Sequence, residues 1–187
     1  IGDLCEVTIG GYWGKDKKFD CSTPVICLRG TDLQNLKESG YSSEAPIRWV
    51  RDTDLNKRLM DENEVLIGGS GLGPVGRSLC FTNDLNSLYD YSIIYSNFCK
   101  RLKFKSKYLA HYTEQILEIL YLSGVINNYV NGTSVPNLDI NGLLKHKILL
   151  PSKTLLVNFS NFKGTLLSSK NLGENKKLNK LKDTLLN

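Results

Sequence analysis

Between Lys100 and Lys107 the chain carries five cations and no acid. Read as a strand, Phe98 to Phe104 puts Leu102 and Phe104 on one face. Arg101, Lys103, Lys105 and Lys107 then share the other, because side chains alternate along extended backbone. Such a ladder repeats every ~6–7 Å, a spacing compatible with a phosphate backbone. Charge alone leaves a solubilising edge equally open. A second stretch, Gly71-Leu72-Gly73-Pro74-Val75-Gly76, matches the G-x-G-x-x-G dinucleotide fingerprint. That fingerprint works only where a helix starts and offers its amides to a pyrophosphate. Pro74 lies inside this loop and Arg77 to Thr82 favours a strand, so a glycine-rich hairpin is expected instead. Its backbone can approach a ligand closely, with Arg77 placed to meet a phosphate or a guanine edge.

Groups for catalysis are not assembled by the sequence. There is no nucleophile elbow, Walker loop, paired metal-carboxylate nuclease signature or Asn/Asp-Pro-Pro-aromatic methyltransferase loop. His111 and His146 lack the partners of a general base. Asp52, Asp54, Asp61, Glu62 and Glu64 read as a solvated loop, and Tyr12 and Trp13 as sheet packing before base stacking. Cys5, Cys21, Cys27, Cys80 and Cys99 contain no C-x-x-C pair, so reduced thiols and no metal site are expected.

The elements that must position these residues follow from composition and periodicity. With 187 residues, 41% of them hydrophobic and 23% charged, the chain can bury one core and an appended element. No apolar run is long enough for a membrane span. Ile1 to Cys5 shows no basic-then-apolar leader, so a cytoplasmic protein with a trimmed start is expected. The net charge of +5 resides entirely in the seven lysines from Lys153 onward, against Glu174 and Asp183. The preceding residues balance at seventeen cations and seventeen anions. A neutral body with one dense basic stripe suits a phosphate-backbone partner.

Strands are expected at Leu4–Ile9, Val25–Leu28, Arg48–Val50, Glu64–Ile67, Leu79–Thr82, Tyr91–Tyr95, Phe98–Phe104 and Ile148–Leu150. Arg29-Gly30-Thr31-Asp32 reads as a turn. Tyr108 to Tyr129 reads as a helix, with Leu109, Tyr112, Ile116, Ile119, Leu120 and Leu122 or Ile126 recurring at three and four. After Pro151 the apolar residues fall at Leu155, Phe159, Phe162 and Leu166, with a second seam at Leu167, Leu178, Leu181 and Leu185 in which Asn171 and Glu174 occupy the intervening heptad positions. Spacings of three and four predict a helical arm that needs a helical partner. The expected architecture is a mixed α/β (α+β) domain over 1–151 and a long arm over 152–187, paired as an antiparallel coiled coil.

Taken in order, these landmarks resemble the specificity subunit of type I restriction-modification enzymes. They are Ile1-Gly2-Asp3-Leu4, Trp49-Val50 before Asp54-Leu55, and Val65 through the glycine loop to Arg77. Phe98–Lys103 before Tyr108-Leu109, Asn131-Gly132-Thr133 through Asn137-Leu138, and Ile148-Leu149-Leu150-Pro151 follow. Glu174-Asn175, Leu178, Leu181-Lys182-Asp183 and Leu185-Leu186 complete the set. The resemblance implies a recognition domain gripping half of a bipartite duplex DNA site, in a bacterial or archaeal cell. It implies methyltransferase (modification) and restriction subunits as partners, with S-adenosylmethionine held by the former and no cofactor in this chain. Family members carry two recognition domains; one here implies a half-subunit that pairs with itself or a second half, or a fragment.

On this reading Lys15, Lys17, Arg101, Lys103, Lys105 and Lys107 meet phosphates, which position without reading sequence. Arg29, Ser70, Arg77 and Thr133 are the base-reading candidates. Two alternatives stay open: the recognition segment of a fused restriction-methylation enzyme, and an interaction scaffold whose basic stripe only solubilises.

Overall fold

The computed structural model describes residues 1–171. The first half of the chain gives β1 (Cys5–Val7), β2 (Ser22–Leu28), α1 (Gly30–Ser39), β3 (Ile47–Arg51) and α2 (Asp52–Asn56). Next come β4 (Glu64–Gly68), β5 (Ser78–Cys80), α3 (Asn83–Ser87), β6 (Ile93–Tyr95) and β7 (Cys99–Phe104). α4 (Lys107–Leu122) leads into a 3-10 turn at Val125–Tyr129, then β8 (Val130–Asn131), β9 (Asn137–Leu138) and α5 (Ile140–Leu144). α6 (Lys153–Asn171) closes the described chain. The molecule is therefore mixed α/β.

Two sheets share the work. One has the order β1-β7-β4-β5 and is antiparallel throughout. The other has the order β3-β2-β6, with β2 antiparallel to β3 and parallel to β6. β4 is buried along its whole length because the first sheet is covered on both faces, which favours continuous apolar runs. Val65 and Ile67 join Leu102 and Phe104 in a core under α4, with Ala110, Leu117, Leu120 and Ile126. Leu66, Leu79 and Cys99 turn the other way, into a core shared with Ile26, Leu28 and Tyr95 of the second sheet and with Leu33 and Leu36 of α1. The outer face of the second sheet, Val25, Cys27, Val50 and Ile94, is covered by Tyr12, Trp13 and Leu55.

Several expectations change at this level. Arg29 to Asp32 is the start of α1, not a free turn: the Asp32 carboxylate accepts the Arg29 backbone N–H at 2.8 Å, closing the helix end. Ile148–Leu150 is not a strand; no sheet edge reaches it, and Leu149 is almost fully exposed. The acid-rich stretch from Asp52 holds α2, and its last member, Glu64, is buried in β4. In α4 the buried set is Ala110, His111, Thr113, Glu114, Leu117 and Leu120, while Ile119 is exposed. α4 is covered on two sides, by the first sheet and by α6, and the α6 side is polar. The Glu64–Gly68 and Ser78–Cys80 strands pair antiparallel around the glycine loop, and that loop leads into a strand, leaving no helix start to hold a pyrophosphate.

Candidate nucleic-acid interface

Three segments far apart in sequence meet at one end of the first sheet. The amide of Gly69 donates to the Phe98 carbonyl at 2.7 Å, and that of Gly71 to the Pro136 carbonyl at 3.0 Å. Leu138 N–H returns a bond to the Gly69 carbonyl at 2.8 Å, and Ser70 bridges Asn137. The glycine loop, the Ser96–Cys99 turn and the β8–β9 hairpin thus form a continuous rim. Gly71 adopts φ +109° and Gly76 φ +83°, conformations that side chains resist, and a Cβ on Gly76 would strike Ile126 at 2.6 Å. α1 abuts the same loop: a Cβ on Gly30 would lie 2.6 Å from that of Pro74.

The rim carries Ser70 and Thr133, whereas the Arg77 side chain lies at the foot of the glycine loop between α1 and α4, in a pocket that Glu38 and Glu118 also line. Arg77 Nε donates to the Tyr121 hydroxyl at 2.8 Å, with its guanidinium 5.7 Å from the ring centre, and Tyr121 donates to the Gly73 carbonyl. Arg29 is held by Asp32 at 2.9 Å and donates to the Glu44 carbonyl, so its charge is matched within α1. Large apolar side chains stand out on the same rim: Leu72 is 79% exposed, Val135 59% and Phe98 55%.

The expected four-cation ladder does not form. The face of β7 that carries Arg101 looks between the two sheets, not outward. Arg101 is buried there over the Tyr95 ring, donating to Thr8 Oγ1 at 2.6 Å and to the Leu59 and Lys57 carbonyls. Its charge faces Glu64 at 3.5 Å. It is a structural residue and no phosphate contact. Farther along, Lys103, Lys105 and Lys107 are exposed. Lys103 and Lys107 lie 3.9 Å from Glu64 and Glu62 respectively. Lys107 already belongs to α4. These three sit at the far end of β7, roughly 20 Å of strand from the rim, with Lys100 between them and packed over Gly69. Lys15 and Lys17 are exposed on the outer edge of the second sheet, where Lys15 pairs its backbone with Trp49 and its ammonium rests 4.6 Å from the Phe19 ring.

α6 packs on α4 through Leu156, Ser160 and Lys163. Lys163 ion-pairs with the buried Glu114 and donates to the His111 carbonyl at 3.0 Å. Lys37 of α1 reaches the same carboxylate at 2.5 Å, and Ser78 of β5 donates to it at 3.1 Å. Burial alone would push the Glu114 carboxyl up; Lys163 and Lys37 hold it below its ordinary value. Ser160 meets His111 Nδ1 at 2.9 Å, and burial pushes that imidazole below its ordinary value. Of the first expected seam, Leu155, Phe162 (65% exposed) and Leu166 are exposed, whereas Phe159 packs edge-on against Tyr112 of α4. Leu167 packs against the core beneath α4, which makes it an intrachain contact. Leu178, Leu181 and Leu185 lie outside the described residues.

One signal went unused in the sequence. The segments that build the rim carry no aspartate or glutamate, from Val65 to Asn83, Tyr91 to Lys107 and Ile119 to Leu138. Among the described residues, no group of three or more His, Cys, Asp or Glu side chains is placed to hold a metal. Among the same residues, no helix is long and apolar enough to cross a membrane. No family model matches the chain, and no curated protein matches it either.

Proposed function

We propose that this chain is a non-catalytic module that recognises a specific sequence in double-stranded DNA. It serves as the specificity half-subunit of a type I restriction-modification system. The observation that carries the reading is the rim, where three loops built from segments without aspartate or glutamate bring exposed amide, hydroxyl and apolar side chains together beside Lys100. Base edges are read by side chains of these kinds, and loops without carboxylates of their own tolerate nearby phosphates. Lys103, Lys105 and Lys107 supply phosphate contacts at one flank; Ser70, Arg77 and Thr133 stay as reading candidates. Methylation and cleavage then belong to partner subunits, with S-adenosylmethionine on the modification subunit. The outer stripe of α6 supports an arm that continues as a helix and pairs antiparallel with a second one.

The test is selection of duplexes from a random pool by the whole chain, followed by a salt titration on the winner. A shared motif and a log–log slope of about −4, the counterion release of four to five phosphates, are expected. Recovery of no motif, or a slope near zero, would overturn the reading.

A further inference from the structure

Asn97 and Phe98 are the two central residues of a tight turn: Cys99 N–H donates to the Ser96 carbonyl at 3.0 Å, linking β6 to β7. Both side chains are exposed. Turn centres are normally filled by Gly, Pro, Asn, Asp or Ser, each for a backbone reason. Asn97 fits that pattern. Phe98 does not; its ring packs in none of the three cores, and its backbone is pinned by Gly69 at 2.7 Å. A phenyl ring held at the tip of a rigid turn, in a segment without carboxylates, is placed to meet a partner that supplies apolar surface.

Resting on the DNA reading above, we propose that the Asn97-Phe98 turn is a specificity determinant for an A·T pair in the major groove. Adenine presents N7 and N6 there, which an Asn amide meets in two hydrogen bonds, and thymine presents a C5-methyl, which takes an apolar contact. One base pair thus offers the two kinds of surface that neighbouring residues of this turn display. Gly71 (φ +109°) and Gly132 (φ +91°) turn the adjoining loops, and Leu72 and Val135 stand exposed beside the turn.

The experiment takes the duplex selected by the whole chain and replaces each thymine in turn by deoxyuridine, which lacks only the methyl. The wild-type chain loses about fourfold in affinity at one position, the worth of one methyl group removed from water. Phe98→Ala binds the thymine and deoxyuridine duplexes equally at that position and keeps every other preference. Asn97→Ala removes the penalty for 7-deazaadenine in the same pair, at least about fivefold in the wild type. Unchanged urea midpoints for both variants show that neither exposed substitution alters folding. A selected duplex with no deoxyuridine position dependent on Phe98 overturns this inference and leaves DNA recognition standing. So does a Phe98→Ala loss that is equal on every sequence, the mark of a wedge or of a protein-facing ring. Selection of no duplex at all removes both.

Discussion

Arg101 and Lys105 differ by four positions and by everything else. Arg101 has its guanidinium wrapped by two carbonyls, Thr8 and Glu64, whereas Lys105 is exposed. Truncating one partner of a buried charge pair leaves the other uncompensated. Arg101→Met should therefore cost about 3–5 kcal/mol of stability, read as a lower urea midpoint at pH 7. Burial already pushes the Glu64 carboxyl above its ordinary value, and without Arg101 it rises further. A folded-state pKa above the unfolded one stabilises at low pH, so the deficit of Arg101→Met should shrink as pH falls toward 5. A deficit independent of pH would mean that Glu64 is not the group left stranded. Lys105→Ala should leave the midpoint unchanged and reduce the salt slope of duplex binding by about 0.9, one phosphate's worth. In the sequence the two cations are indistinguishable. Period two correctly separates Arg101 from Leu102, but the strand does not say that Lys57–Leu59 will close over one face.

At the scale of elements, short apolar runs in β2 and β4 and alternation in β7 made the strands legible, and the glycine-rich stretch between Ile67 and Ser78 made their connection legible. α4 was legible as a helix, but its polar buried face was not, because periodicity counts only apolar residues. Its contact with α6 runs through Glu114, His111 and Lys163, whose burial depends on partners in α1 and α6. Those partners make this contact sensitive to acid. The His111 imidazole is held below its ordinary value by burial, with Lys163 and Lys107 adding to the effect. Between its folded and unfolded values only the unfolded chain takes the proton, so stability is lost as pH falls below the ordinary value of 6.5. Glu114, also depressed, acts in the same direction but lower, below 4.5. Glu64 titrates the opposite way, so the informative quantity is a difference between variants. Wild type should lose more stability than His111→Gln on moving from pH 7.5 to 5.5, measured by urea unfolding. Equal losses in the two proteins would place the acid sensitivity elsewhere.

For the whole molecule, the two stripes of α6 have separate destinations. The inner one, Leu156, Ser160 and Lys163, is spent on the chain's own α4, so α6 is continuous with the body of the fold. A helix anchored by a buried carboxylate and two lysines takes its direction from that body, which the half-site spacing proposed above would require. The outer stripe keeps Leu155 and Phe162 in water. Burying such side chains contributes about 1.5–3 kcal/mol each, enough for several of them to hold two arms together when the pairing is in register. Sedimentation of the whole chain at increasing concentration should show a dimer, and the double variant Leu155→Ser, Phe162→Ser should shift it toward monomer. Because both side chains are exposed and neither belongs to the α6 face buried on α4, the urea midpoint at low protein concentration should not move. A monomer at all concentrations would assign the stripe to a partner other than a second copy. A midpoint that falls with the double substitution would mean that the stripe belongs to the chain's own fold.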